Sequence, residues 1–222
     1  SFLGPSFDEE EITNYLIKKN IIFKKLNRNE ITKQTAKLLS EGNAVGWMNG
    51  KMEYGPRALG NRSILADPRS STMQKQLNLK IKFRESFRPF APSILFEDLN
   101  KWFDIDSKSP YMLLTSQVKK DKLKDIKNEK NLFGIEKLNQ VRSIIPAVTH
   151  VDNSARIQTV HKETNLDYYN LLYEFKKITG CPILVNTSFN IRGEPIVNSP
   201  MEAYQCFMNT EMDVLVLEHC LL

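Results

Sequence analysis

The sequence predicts an α/β or α+β domain built on a mixed sheet, and three observations carry that expectation. Apolar strand-like runs alternate with amphipathic helical runs along all 222 residues, irregularly and with no internal repeat. The composition is globular, with 41% apolar and 26% charged residues, 9 Gly and 10 Pro, which excludes a disordered or collagen-like chain. No run approaches the roughly 18 apolar residues of a membrane span, so no membrane partner is expected.

The elements follow from local pattern. After Asp8, EEEITNYLIKKN sets Ile12, Tyr15 and Leu16 at helical spacing, with acids in the first turn where the helix dipole favours them. IIFKKL (21–26) reads as a short strand. Asn27 caps a second helix, with Ile31, Thr35, Leu38 and Leu39 on one face and Gly42 as its stop. Residues 1–42 are thus leading helices, and 43–222 the main sheet domain. NAVGWMNG is a strand entering a Gly turn, and KMEYGPRALGNRSILADPRS is a basic polar loop that ends in the short strand SILA. STMQKQLNLKIK predicts a helix of about three turns after a Ser cap. RESFRPFAPSILFEDL gives a Pro-stiffened turn and a strand, and YMLLTSQV (111–118) another strand. KKDKLKDIKNEKN (119–131) reads as a solvated loop, because Asp121, Asp125 and Glu129 interrupt its lysines.

IPAVTHVD and ARIQTV predict two strands joined at Asn153-Ser154. NLDYYNLLYEFKKITG is the clearest helix, with Gly180 as its stop. CPILVN is a strand and TSFNIRGEP a polar loop. Pro200-Met201-Glu202 opens a last helix, and DVLVLE closes the chain as a strand.

Charge and cysteines narrow the function. The net charge of +5, from 31 Lys+Arg against 26 Asp+Glu, favours an anionic ligand without requiring one. Cys181, Cys206 and Cys220 form no CxxC and have apolar neighbours, so packing thiols in a reducing compartment, the cytoplasm, are expected. The first residues lack a secretory signal, and with no starting Met the chain reads as an excised fragment.

Four segments place cations, Gly and small polar groups where packing would call for apolar residues. In GPRALGNRS, Gly55-Pro56 and Gly60 bend the backbone around Arg57 and Arg62, which can aim guanidinium forks at an anion or pair with Glu53 and Asp67. In KIKFRESFRPFAPS, Lys82, Arg84 and Arg88 fall at even spacing. An extended segment would set them on one face, opposite Ile81, Phe83 and Phe87, either as an anion site or as an exposed cationic edge. In THVDNSARIQTV, His150, Asp152, Arg156 and Gln158 alternate with apolar residues. His150 is a candidate ligand contact rather than a general base. In CPILVNTSFNIRGEP, an apolar strand runs out into Asn186, Thr187, Ser188 and Asn190 with Arg192 behind, where ligands of α/β sheets gather. A polyanion such as a nucleotide accounts for all four. There is no metal-ligating cluster, no G-x-S-x-G elbow and no G-x-G-x-x-G loop.

The strings GKMEYGPRALGNRSILADPR, KFRESFRPFAPSIL, THVDNSARIQTV and TGCPILVNTSFNIRGEPIVNSP, with the opening LGPSF, resemble the C-terminal domain of the O-carbamoyltransferases of nodulation and antibiotic biosynthesis. The resemblance implies a YrdC/Sua5-like fold, a twisted mixed β-sheet flanked by helices around a concave basic nucleotide site. TSFNIRGEP is also similar to the serine loop of threonylcarbamoyl-adenylate synthases. The family's activity implies that carbamoyl phosphate is hydrolysed and the carbamate joined to ATP as carbamoyl-adenylate, with Mg2+ accompanying the nucleotide. A separate N-terminal ASKHA-type domain, which holds the transfer-site metal, then carbamoylates an acceptor hydroxyl. Fixed cations suit that chemistry because negative charge builds on the phosphoryl oxygens and the leaving pyrophosphate. Lys82, Arg84 and Arg88 are expected on phosphate and carbamate as the catalytic set, Arg57 completing the clamp. Arg156 is expected on carbamoyl phosphate or ATP phosphates, and Ser188 and Asn190 on phosphate or ribose. Arg62, His150, Gln158, Asn186, Thr187 and Arg192 are further binding candidates; no metal ligand is expected in this chain.

Two rivals remain. A threonylcarbamoyl-adenylate synthase shares the serine loop but lacks the GPRALGNRS and THVDNSARIQTV strings. A non-catalytic RNA-binding module suits the pI of about 9.0. Only Phe83, Phe87 and Phe90 interleave with the arginines as a stacking platform would need, so nucleic acid is not the expected partner.

Overall fold

The computed structural model describes residues 1–125 and 134–222, with the backbone alone at 135 and 136. In chain order the elements are α1 (Glu9–Lys18), β1 (Lys24–Lys25), α2 (Arg28–Ser40), β2 (Val45–Met48), β3 (Arg62–Ala66), α3 (Met73–Gln76), β4 (Ala91–Leu95), α4 (Leu99–Trp102) and β5 (Thr115–Gln117). There follow α5 (Gly134–Leu138), β6 (Ser154–Arg156), β7 (Gln158–Val160), α6 (Leu166–Thr179), β8 (Ile183–Ser188), α7 (Pro200–Met208), β9 (Val214–Leu217) and β10 (Cys220–Leu221).

Reciprocal capping boxes start three helices: Asp8 with Glu11 at α1, Asn27 with Glu30 at α2, and Ser199 with Glu202 at α7. Gly180 ends α6 in the left-handed conformation the sequence anticipates. The strands form an eight-stranded mixed sheet in the order β1-β10-β9-β2-β3-β8-β4-β7, as the alternation of elements predicts. β2 runs parallel to β9 and β4 parallel to β7; the other neighbours are antiparallel. β5 and β6 make a separate antiparallel pair. The leading elements are built into this architecture: β1 extends the sheet beside β10, and α2 packs on α6.

β2, β3, β4, β7 and β9 are buried along their whole length; the continuous apolar runs of β2 and β9 follow from that, while β3 and β7 also bury Arg62, Ser63, Gln158 and Thr159. The core includes Trp47, Ile64, Leu65, Ile94, Leu171, Phe175, Leu184, Val185 and Leu215. All three cysteines are free and buried, as expected. Burial pushes the Cys181 thiol up to about 12 and that of Cys206 to about 11, so they pack rather than react. Among the described residues no helix is long and apolar enough to cross a membrane.

Several local expectations are corrected. The three-turn helix over 71–82 is α3 followed by a π-helical turn, Leu77–Ile81. The strand expected at 145–152 is a 3-10 turn, Pro146–Val148, because Pro146 fixes a turn-compatible φ and cannot donate to a ladder. ARIQTV is cut at Ile157 into β6 and β7, which belong to different sheets. The strand at 111–118 is reduced to β5, since Met112 takes a left-handed φ of 58°. Of the lysine-rich stretch, Lys120–Lys122 is a 3-10 turn and Lys119 pairs with Asp104; 126–131 lie outside the described residues.

Candidate functional site: a basic pocket at the end of a central strand

β8 sits between β3 and β4, with Asn186 opposite Leu65 on one side and Ala91 on the other. Its last residues, Asn186, Thr187 and Ser188, are still strand, paired to β3 as far as Ser63 opposite Ser188. Around that end lies a cavity of about 140 Å3 lined by Pro56, Arg57, Ala58, Arg84, Pro89, Phe90, Ala91, Met112, Arg156, Asn186, Thr187 and Ser188. Each of the four segments singled out above contributes at least one of these residues. Three carry a guanidinium and none is acidic.

The loop that brings Arg57 is held by a carboxylate. Glu53 is 6% exposed, and its Oε1 accepts from the N–H groups of Leu59 at 2.6 Å, Asn61 at 2.8 Å and Arg62 at 3.3 Å. The Trp47 indole N–H donates to the Gly60 carbonyl at 2.9 Å. Gly60 has φ 107°, and a Cβ there would lie 2.1 Å from the Tyr168 ring, so only glycine fits. Glu53 therefore folds its own loop instead of pairing an arginine side chain.

Arg62, expected beside Arg57, is turned away from the pocket. Its guanidinium is buried and donates to five backbone carbonyls, of Pro5, Asn49, Gly50, Asn61 and Asn198, at 2.9–3.4 Å. Asp67 likewise pairs with Arg69, not with a pocket arginine.

The cationic segment is not extended. The π-turn and a left-handed Phe83 (φ 46°) send Lys82 and Arg84 in different directions, which corrects the one-face arrangement of Lys82, Arg84 and Arg88. Lys82 is 4% exposed and lies behind the pocket wall. Its ammonium bonds the Ser188 carbonyl, the Asn190 carbonyl at 2.9 Å and Asn190 Oδ1 at 2.8 Å. Burial, with Arg84 adding to it, lowers the Lys82 pKa to about 7. Arg84 donates to Asn78 Oδ1 at 2.6 Å and sits over the Phe90 ring at 5.0 Å. Arg88 pairs with Glu85 at 3.1 Å, and Arg192 reaches the same carboxylate only at 3.8 Å; both are exposed and outside the lining.

Of the third segment, Arg156 reaches the pocket, and an Arg156 N–H is 3.8 Å from Met112 Sδ. Gln158 is buried: its Nε2 donates to the Leu59 carbonyl at 2.8 Å, and its Oε1 accepts from Ser93 Oγ and Asn186 Nδ2. His150 stays off the lining, Nδ1 3.2 Å from Ser154 Oγ, with its pKa lowered by burial against the opposing pull of Asp152. In the fourth, Ser188 Oγ donates to Asn190 Oδ1 at 2.7 Å, and Asn190 Nδ2 to the Glu194 carbonyl.

Burial lowers the pKa of both Arg84 and Arg156. The neighbouring Arg88 adds to it at Arg84, and Arg57 at Arg156. Arg156 Nε and Asn186 Oδ1 are buried without a hydrogen-bond partner. Crowded cations, the unpaired Arg156 N–H and the lack of a lining carboxylate give the pocket a positive, donor-rich character, with Asn186 Oδ1 as an acceptor at its edge. Among the described residues no group of three or more His, Cys, Asp and Glu is placed to hold a metal ion.

The family model for the carbamoyltransferase C-terminus matches residues 36–222. The chain belongs to that family. This carbamoyltransferase C-terminal domain is 55% identical to the uncharacterized protein sll1178 of Synechocystis sp., over 100% of its own length and 37% of the relative's. It is 37% identical to nodulation protein NolO of Bradyrhizobium diazoefficiens, covering 97% of this chain and 37% of that one. With the 3'-hydroxymethylcephem-O-carbamoyltransferase of Streptomyces clavuligerus the identity is 39%, over 72% of this chain and 26% of the enzyme. The domain thus spans about a quarter to two fifths of these curated relatives.

Among solved structures it is similar to full-length HypF in a phosphate- and nucleotide-bound form, with a TM-score of 0.53 and 20% identity over 85% of this chain and 25% of that one. It also matches a variant of P. abyssi Sua5, with a TM-score of 0.52 and 12% identity over 84% and 48%. These likenesses establish the YrdC/Sua5-like fold that the motifs imply. The domain's sequence left Met112 and the anchoring role of Glu53 unread. Glu53 stood out as a carboxylate within a basic loop, whereas nothing local marks Met112.

Proposed function

We propose that this domain activates a carbamoyl group. It binds carbamoyl phosphate and ATP; water hydrolyses the first to carbamate and inorganic phosphate, and a carbamate oxygen attacks the α-phosphorus of the second. An O–P bond forms to give carbamoyl-adenylate, the Pα–O bond to the β-phosphate breaks, and pyrophosphate leaves with the electron pair. A separate N-terminal ASKHA-type domain of the same polypeptide, in the cytoplasm, would pass the carbamoyl group to an acceptor hydroxyl.

The observation that carries this reading is the convergence of four distant segments on one acid-free cavity bearing the guanidiniums of Arg57, Arg84 and Arg156. Such groups stabilise charge developing on the phosphoryl oxygens more than they stabilise the ground state. Ser188 and Thr187 supply hydroxyls at the strand end. Lys82 fixes the 188–190 loop from behind and adds positive charge to its field. Arg88 and Arg192 stand outside the lining, where the tails of a triphosphate would meet them. With no carboxylate in the lining, Mg2+ would be held by phosphate oxygens. No side chain needs to act as nucleophile, so positioning supplies most of the effect.

The test is pyrophosphate release. It is expected with ATP and carbamoyl phosphate together and from neither alone, without further stimulation by threonine. Release that requires threonine would replace this reading with the synthase one.

A further inference from the structure

The three guanidiniums of the pocket are not held alike. Among the described residues only that of Arg84 donates to an oxygen; an Arg156 N–H meets Met112 Sδ at 3.8 Å, and the Arg57 side chain has no partner. The oxygen belongs to Asn78, which is fully buried and stands outside the pocket lining.

The backbone brings Asn78 to that place. α3 widens into the π-turn, where the Lys82 N–H reaches back five residues to the Leu77 carbonyl at 2.9 Å. After the left-handed Phe83, the Arg84 N–H returns to the Asn78 carbonyl, also at 2.9 Å. The Asn78 side chain therefore meets the segment that the turn releases. Its Oδ1 accepts from Arg84 Nε at 2.6 Å, and its Nδ2 donates to the Ser86 carbonyl at 3.0 Å and the Arg88 carbonyl at 2.9 Å. That set of partners fits the amide only one way round. Flipped, it would set N–H against the Arg84 N–H and its oxygen against two carbonyls. Gln74 backs the same segment from α3 by donating to the Phe87 and Arg88 carbonyls at 3.0 and 3.1 Å, and it does not bond Arg84.

These bonds decide which edge of Arg84 a ligand meets. A guanidinium carries five N–H donors. The Nε–H is taken by Asn78, and the carbon of the group lies over the Phe90 ring at 5.0 Å. What is left is the terminal edge, whose two Nη groups have no partner among the described residues. Paired Nη groups form a fork that grips two oxygens of a phosphate or carboxylate.

We propose that Asn78 is a positioning residue of the arginine pocket: it locks the Arg84 guanidinium before any ligand binds, so that the Nη pair and not the Nε side is presented to phosphate. This deepens the nucleotide-binding reading above and rests on it. An arginine aimed in advance spares the ligand the cost of ordering that side chain.

The test is a double-mutant cycle on the whole chain, with ATP affinity read by calorimetry and stability by urea unfolding. The proteins are wild type, Asn78→Ala, Arg84→Ala, the double variant and Gln74→Ala. Asn78→Ala is expected to weaken ATP about tenfold, near the upper end of the cost of immobilising one long side chain at binding. In the Arg84→Ala background the same change should weaken ATP by less than about twofold, because the group that Asn78 aims is gone. Gln74→Ala should lower the urea midpoint and leave ATP affinity within about twofold, since it loosens the segment without releasing Arg84. A second measurement needs no Asn78 variant to fold. The Arg84 Nε–H, assigned as the NMR signal missing from Arg84→Ala, should exchange slowly with solvent both without and with ATP.

Unchanged ATP affinity in Asn78→Ala, equal weakening in both backgrounds, or a Gln74→Ala effect as large as that of Asn78→Ala overturns the positioning role and spares the nucleotide reading. Fast exchange of the Nε–H in either state does the same. No binding of ATP by the wild type overturns both.

Discussion

Replacing Glu53 tests how the fold builds the site. Its carboxylate accepts three backbone N–H bonds in a 6%-exposed setting, two of them short at 2.6 and 2.8 Å and one at 3.3 Å. A hydrogen bond to a charged group contributes about 1.5–3 kcal/mol. The two short bonds are thus worth about 3–6 kcal/mol in Glu53→Ala, less the desolvation cost that leaves with the carboxylate. The expected loss is about 2–5 kcal/mol, tolerable within a typical total stability of about 5–15 kcal/mol. Glu53→Gln keeps a neutral acceptor worth about 0.5–1.5 kcal/mol per bond and should lose roughly half as much. Urea unfolding followed by circular dichroism reads both as a lower midpoint at unchanged slope. The loss should carry over to ligand affinity, because the same bonds hold the loop bearing Arg57. A Glu53→Ala loss under about 1 kcal/mol, or equal losses in both variants, would refute the anchoring role.

Two further outcomes follow from the same geometry. Gly60→Ala adds a methyl 2.1 Å from the Tyr168 ring at a φ of 107°, so backbone strain and overpacking together should cost about 2–4 kcal/mol in thermal or urea unfolding; a neutral substitution would contradict the close approach. Lys82, held down to about 7, should take up protons when an anion binds, since an anion favours the ammonium and raises its pKa. At pH 8 a group of pKa 7 is about nine-tenths neutral, so uptake is large there and fades towards pH 6. Titrations in buffers of different ionisation enthalpy measure it, and the same uptake in Lys82→Met would exclude Lys82 as its source.

Much of this was legible locally. Capping residues at Asp8, Asn27 and Ser199 and the stop at Gly180 mark helix ends because caps act through their nearest backbone neighbours. The strands VGWM and VLVL read as apolar runs because both of their faces are buried. What stayed illegible depends on partners far along the chain. The even spacing of Lys82, Arg84 and Arg88 suggested a shared face, but a π-turn and a left-handed Phe83 intervene, and neither has a sequence signature. Arg62 and Arg57 look alike in sequence; only the fold shows that five backbone carbonyls enclose the first, leaving the second exposed. Gln158 and Asn186 read as ligand contacts from amide groups on polar strand faces and ends; Asn186 does line the pocket, and Gln158 stands behind it. In the fold they bond one another and the 58–59 backbone as well.

The central claim is that Arg57, Arg84 and Arg156 form one anion site for the nucleotide phosphates. Calorimetric titration of ATP into wild type, Arg84→Ala and Arg156→Ala, with melting temperatures measured in parallel, tests it most directly. Each lost charged contact of about 1.5–3 kcal/mol should weaken ATP by about one to two decades, while melting shifts by no more than a few degrees. ATP bound equally well by both variants, or lost only together with the fold, would contradict the account.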